Sequence, residues 1–446
     1  MSRFKTVSAL ATIACLGLAA CGSDSKTATT SAGTVANTSA AATTAAASTA
    51  VPVSTDAATA TVAPATTGAT ATSGAPAVIY GIAPEDAASG TNQPGIQQVL
   101  KAATAWYNDH GGAHGHPIEF TFCNHQQDPN VLTQCAQSAV DDGAAAIVGI
   151  YSNLPTYHPV VEAAGLAVID AFGINPPALT SPTTYLIAAG ATGQAFGLAH
   201  GAQKLGYKNV ALVQSEIPST KPIGDAFLKS AGTLGIATSS VTVPPTVTDM
   251  APIVAQVSGD AQAIFLLLPP PQVLAFLQGA AQAGLKLPLL GIPGLLQQAH
   301  IDQTGGASSP AEGALVTNLF ASGDSPKYDD LRKIVDAYTG AKDKIDLNNV
   351  AVLGAWASFK VFLEVSDKID GDITTASFKK AIDSSSGIDA GGLTTPMDFT
   401  KPFEVAAYAR QFNFSIDFQT VKDGKFAASD LGSVDTKPDF IALAGG

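Results

Sequence analysis

The chain is expected to be an α/β protein of two lobes, each a doubly wound parallel sheet with helices on both faces. Three observations predict this. Short apolar runs of buried-strand length alternate with amphipathic helical stretches from Val78 onward. The segment from Ala77 to Gly446 is longer than one hydrophobic core usually serves, so it is expected to divide in two. The chain is 46% hydrophobic and 13% charged, a balance that suits buried strands and argues against a disordered or fibrous polymer.

The elements follow in a regular beat. Val78-Ile79-Tyr80-Gly81-Ile82 reads as a strand, and a loop through Pro84 and Gly90 leads to a helix with Ile96, Val99, Leu100, Ala103, Trp106 and Tyr107 at helical spacing. Asn108-Asp109-His110-Gly111-Gly112 stops it, because glycine accepts the left-handed conformation that follows a C-cap. Ile118, Phe120 and Phe122 alternate with Glu119 and Thr121 as a strand, Asp128-Pro129 opens a helix, and Ala144 to Ile150 is an apolar strand. Further strands are expected at 166–170, 209–214, 237–243, 263–268 and 287–291. Helices are expected at 192–205, at 223–234, after an Asp249 N-cap, and at 272–283. This alternation implies parallel sheets covered on both faces. Val352, Leu353, Trp356 and Phe359 lie at helical spacing, which core packing explains.

At the N-terminus, Arg3 and Lys5 precede an apolar run from Val7 to Leu18 that is too short to span a bilayer, the pattern of a removable signal over residues 1–20. Its close, Leu18-Ala19-Ala20-Cys21, resembles the lipobox of bacterial lipoproteins. The resemblance implies cleavage before Cys21 and a diacylglyceryl group on its sulfur, and two acyl chains hold a protein at a membrane durably. An ordinary secretory signal is the alternative. Residues 21–76 are almost wholly Ala, Thr, Ser, Val and Gly without a large aromatic, so they read as a disordered tether. The expected location is the outer face of the bacterial cytoplasmic membrane. Net charge is −13, and loss of Arg3 and Lys5 takes it to −15, which argues against nucleic acid or anionic headgroups as partners.

Removal of Cys15 with the signal and lipidation of Cys21 leave Cys123 and Cys135 as a pair in an oxidising compartment, where a disulfide is expected. Closing so short a loop is worth about 2–3 kcal/mol. A metal site is the alternative because His125 lies between them, although two thiols and one imidazole over this span match no common zinc spacing.

The run Asn108-Asp109-His110-Gly111-Gly112-Ala113-His114-Gly115-His116-Pro117-Ile118 resembles the N-x-x-G-G-x-x-G-x-x-I signature of type I periplasmic binding proteins. Asp128-Pro129, Asp142-Gly143 before Ala146-Ile147-Val148-Gly149, and Ala311-Glu312-Gly313-Ala314-Leu315-Val316-Thr317 agree with the same family in order and spacing. The chain is similar above all to the branched-chain amino-acid binding proteins of ABC importers. The resemblance implies a three-strand hinge with crossings near Gly190, Thr317 and Thr394. One lobe would then comprise 77–190 and 318–393, and the other 191–317 and 394–446. It also implies a small solute, an amino acid or an amide-like compound, held between the lobes and passed to an ABC permease, by a protein expected to be a monomer.

Loops after the strands carry the candidate ligand residues: Glu85; Tyr151, Ser152 and Asn153; Asp170 and Phe172; Gln214 and Glu216; Pro270; and Pro293. In amino-acid-binding relatives the turn matching 151–153 supplies a serine hydroxyl and backbone N–H groups to the ligand carboxylate. Two departures stand out. Where those relatives read Gly-Pro-Glu-Gly, with the acid pairing the ligand ammonium, this chain reads Gly291-Ile292-Pro293-Gly294, and Ile174 stands for a threonine that grips the carboxylate. Either Asp170, Glu85 or Glu216 replaces the acid, or the ligand lacks an ammonium. Tyr151, Phe172 and the prolines suggest an apolar or aromatic solute. No His-x-x-x-His pair on a helix, Gly-x-Ser-x-Gly elbow or Walker loop occurs, so neither catalysis, a cofactor nor a metal is expected. The same clamshell serving a membrane signalling partner, and a surface hydrolase, are the competing functions.

Overall fold

Alternating strands and helices build two sheets in the computed structural model, which describes residues 73–87, 92–338 and 345–445. The expected signal, Cys21, Gly90 and the expected tether through residue 72 lie outside the described residues. The first sheet is formed by β1 (Ala77–Ala83), β2 (Ile118–Asn124), β3 (Ala146–Ile150), β4 (Ala167–Asp170) and β5 (Thr184–Leu186). Its order is β2-β1-β3-β4-β5, and every pair is parallel. Between the strands run α1 (Pro94–Asp109), α2 (Pro129–Asp141) and α3 (His158–Ala164).

Local chemistry accounts for these boundaries. Pro94 starts α1, where its missing N–H is harmless, and Gly111 (φ 102°) and Gly112 (φ 69°) follow its end in the left-handed region. Asp128 caps α2 by accepting from Asn130 N at 2.7 Å and Val131 N at 3.1 Å. Cys123 on β2 and Cys135 on α2 form a disulfide with Cα atoms 5.7 Å apart. The sulfurs are bonded to each other, which sets the zinc alternative aside.

The second sheet takes β6 (Asn209–Ser215), β7 (Ala237–Val243), β8 (Ala263–Leu267), β9 (Leu289–Gly291) and β10 (Leu315–Asn318), all parallel, in the order β10-β9-β8-β6-β7. Helices α4 (Gly190–Lys204), α5 (Lys221–Thr233), α6 (Ala251–Val257), α7 (Pro270–Ala283) and α8 (Gln298–Gln303) surround it. The cap of α6 differs slightly from expectation: Met250 holds the N-cap position, while Asp249 Oδ1 still accepts from Ala251 N at 3.0 Å.

After β10 the chain returns to the first sheet with α9 (Asp329–Tyr338), α10 (Val350–Ser366) and α11 (Thr375–Asp383). Helix α10 is apolar around most of its circumference, as befits a helix buried against α1 on one side and β3 and β4 on another. A small antiparallel pair, β11 (Ser386–Ile388) and β12 (Met397–Asp398), follows. Residues 410–412 then run beside Leu186: its N–H donates to Arg410 O and Phe412 N donates to its carbonyl, both at 3.0 Å. Finally β13 (Ser415–Lys422) and β14 (Lys425–Ala428) add an antiparallel margin beyond β10, β15 (Val434–Asp435) pairs with β13, and α12 (Lys437–Ala444) closes the described chain. No described helix is long and apolar enough to cross a membrane.

Candidate functional site

Strand order reverses at β1 in the first sheet and at β6 in the second, and ligands of open α/β sheets bind beyond the carboxyl ends of the strands at such points. Loops and helix starts at those ends line a cavity of about 550 Å3, a volume suited to a small solute. The first sheet and its helices supply Gln93, Tyr151, Phe172, Ile174 and Asn349. The second supplies Gln194, Pro270, Ile292, Pro293 and Gln419.

Tyr151 is aimed by a fault in the strand before it. Tyr80 pairs with Ile147 and Ile82 with Ile150, so β3 holds one residue more than β1 over this stretch. Gly149 supplies the bulge at φ 77°, and a Cβ there would lie 2.9 Å from Leu100 Cδ1 and 3.2 Å from Ala355 Cβ. Tyr151 N then donates to Ile82 O at 2.9 Å, and its ring meets Phe172 edge to face with centroids 5.1 Å apart. Burial raises the pKa of the Tyr151 phenol, and the neighbouring Gln93 side chain pulls it the other way. Gln93 Oε1 also accepts from Asn349 Nδ2 at 3.0 Å, while Asn349 Oδ1 caps α10 through Ala351 N at 2.8 Å. Hydrogen bonds thus join the start of α1 to the start of α10 beside Tyr151 on the cavity wall.

Two histidines hold the turns behind the cavity. His125 donates from Nε2 to Tyr151 O at 3.1 Å and accepts at Nδ1 from Gln127 N at 3.2 Å, the neutral tautomer; burial lowers its pKa. His158 Nε2 donates to Asn175 Oδ1 at 2.8 Å, and Asn175 Nδ2 donates to Ser152 O at 3.0 Å; burial lowers the pKa of His158 also.

Of the expected ligand residues, Tyr151, Phe172, Pro270 and Pro293 come together on the cavity wall. The others are not among its lining. Ser152 is buried and accepts at Oγ from Leu154 N at 3.1 Å, and Asn153 is exposed. Asp170 is buried and accepts at Oδ1 from Phe172 N at 2.7 Å and Gly173 N at 3.2 Å. Desolvation pushes its carboxyl up to about 6 against the pull of those two N–H groups. Glu85 exchanges backbone hydrogen bonds with the Asn124 side chain, at 2.8 and 2.6 Å. The Gln214 side chain lies over Gly224 of α5, and Glu216 is exposed. Among the described residues, no group of three or more His, Cys, Asp and Glu is placed to hold a metal ion.

Sequence reasoning passed over Gln93, Gln194, Asn349 and Gln419. Asn349 before the apolar run Val350 to Leu353 was a readable N-cap signal, whereas for Gln93 only the following Pro94 marked a helix start. Nothing local marked Gln194 or Gln419, which reach the cavity only through the long-range arrangement of α4 and β13.

A family model described as periplasmic binding protein matches residues 76–425. No curated protein matches the sequence. Among solved structures, a putative branched-chain amino acid ABC transporter from Rhodospirillum rubrum is 18% identical with TM-score 0.63, covering 80% of this chain and 100% of that one. A solute-binding protein of an ABC transporter from R. palustris, in complex with 4-hydroxybenzoate, is 19% identical with TM-score 0.63, covering 83% and 100%. A leucine binding protein from Thermotoga maritima is 16% identical with TM-score 0.59, covering 82% and 100%. At these identities the likeness is one of fold. With the family model spanning most of its length and two parallel-sheet lobes around a shared cavity, the chain belongs to the type I periplasmic binding proteins, which bind solutes without converting them.

Proposed function

We propose that this chain is a lipid-anchored, extracytoplasmic solute-binding protein that captures a small molecule between its lobes and presents it to an ABC importer. The cavity carries this reading, because residues from both sheets line it. A solute seated there touches both lobes only when they are shut, so binding shifts the balance toward the closed form that a permease recognises. Tyr151 and Phe172 on one side and Pro270 and Pro293 on the other contact the solute, while Ser152 and Asp170 hold the turns that present them. The R. palustris relative's complex with 4-hydroxybenzoate supports an aromatic or apolar solute, in keeping with these walls. The Leu18-Ala19-Ala20-Cys21 segment supports the anchor.

Protein purified from membranes is expected to show one small molecule per chain in a native mass spectrum. Tyr151→Ala and Phe172→Ala should each weaken rebinding of the released molecule about tenfold or more, through loss of buried aromatic area. Labelling with an alkyne fatty acid should mark the wild type and fail in Cys21→Ser. Turnover of the molecule, or label that survives in Cys21→Ser, would contradict the proposal.

A further inference from the structure

We infer that the solute taken by this cavity is uncharged, apolar over most of its surface, and equipped with a hydrogen-bond donor, as a primary amide or an alcohol is. The inference rests on the solute-binding reading above and narrows it. Among the described lining residues there is no Lys, Arg or His, and the one carboxylate, Asp346, is exposed with its Oδ1 accepting from Asn348 N at 2.8 Å. A carboxylate or ammonium enclosed here would shed its hydration without meeting an opposite charge. Three of the helix starts near the cavity offer an anion little in exchange: Pro94 of α1 and Pro270 and Pro271 of α7 carry no N–H, and the start of α10 is capped by its own Asn349. The start of α4, whose Ala191 and Gln194 line the cavity, is uncapped and presents only the partial charge of its backbone N–H groups. Amides stand where charges are lacking: Gln93 and Asn349 bonded to each other, with Gln194 and Gln419 opposite them in the second lobe.

Gln419 supplies the independent observation. It lies on β13, lines the cavity, is 2% exposed, and its Oε1 has no hydrogen-bond partner. A buried amide oxygen without a donor destabilises the fold that contains it. An O–H or N–H on the solute relieves that penalty only in the bound state, so the group favours ligands bearing a donor over those presenting only acceptors, a carboxylate above all.

The test is calorimetric titration of the full chain, freed of endogenous solute by unfolding and refolding, with two matched series: isovaleramide, isovalerate and isoamylamine; and benzamide, benzoate and benzylamine. In at least one series the amide is expected to bind about tenfold or more tightly than its acid and its amine. An acid or amine that binds as tightly as its amide overturns the selectivity and leaves solute capture standing; silence toward all six compounds also overturns the selectivity, and solute capture falls with it when the native mass spectrum of membrane-purified protein shows no bound molecule. Gln419→Met keeps the volume and removes the acceptor. It should weaken the amide about tenfold while the melting temperature of the unliganded protein stays level or rises. Unchanged amide affinity in this variant overturns the role of Gln419.

Discussion

Asp170 shows how a residue at a cavity can serve the chain before it serves a ligand. Its carboxylate holds Phe172 N and Gly173 N, and so sets the turn that carries the Phe172 ring to the wall. Because its folded pKa, about 6, lies above the unfolded value, its contribution to stability is fully present below about pH 4 and is lost as pH rises through 6. Asp170→Asn retains the acceptor without the buried charge. Urea unfolding should therefore show the wild type gaining roughly 2–3 kcal/mol on the Asn variant between pH 7 and pH 4. Asp170→Ala strands both N–H groups and should cost about 1–3 kcal/mol at pH 7. A gap between wild type and Asn variant that ignores pH would exclude the buried ionisation. The position of Asp170 at a strand end was legible in the sequence. Whether its carboxylate met a ligand or the chain's own amides was not, because both need the same residue at the same place.

Elements are tied by their turns as much as by their faces. The disulfide joins β2 to α2, His125 joins the end of β2 to the turn after β3, and His158 reaches that same turn through Asn175. His125, His158 and His300 all have pKa values lowered by burial. Stability from such groups is fully present above the unfolded value of about 6.5 and drains away as pH falls toward the lower folded values. The free energy of unfolding should therefore drop as pH falls below about 6.5, with Asp170 opposing the loss below about 6. Replacing both His125 and His158 with Gln should flatten the slope; an equal slope in the double variant would place the acid sensitivity elsewhere. Most βα units were legible because their strands and helices are long enough to show a period. β5 has only three residues and shows none. β13 alternates through Ile416 and Phe418 and then buries Gln419, breaking the pattern, although Asp423-Gly424 marked its hairpin with φ values of 53° and 74°.

At the scale of the whole molecule, the cavity owes its existence to a chain that leaves the first sheet after β5, returns to it with α9 to α11, and leaves again beyond Phe412. Backbone pairing of Leu186 with Arg410 and Phe412 binds two of these passages side by side. Such paired strands can bend together while each lobe stays rigid. Small-angle X-ray scattering of the full chain should accordingly register a smaller radius of gyration when a tight-binding solute saturates it, and an unchanged curve would rule out closure. Two lobes were foreseeable from length and composition. The amide-lined interior was not, since it is assembled from helix starts and a late strand far apart in sequence.

The placement of α10 carries one further consequence. It covers β3 and β4 and abuts Gly149, yet it is made only after the whole second sheet. As the polypeptide emerges in order from a ribosome or a translocon, its opening βα units must wait, one oily flank bare, for a segment synthesised much later. Biogenesis of this protein is therefore expected to lean on holding factors, and fragments ending before Val350 to aggregate rather than accumulate.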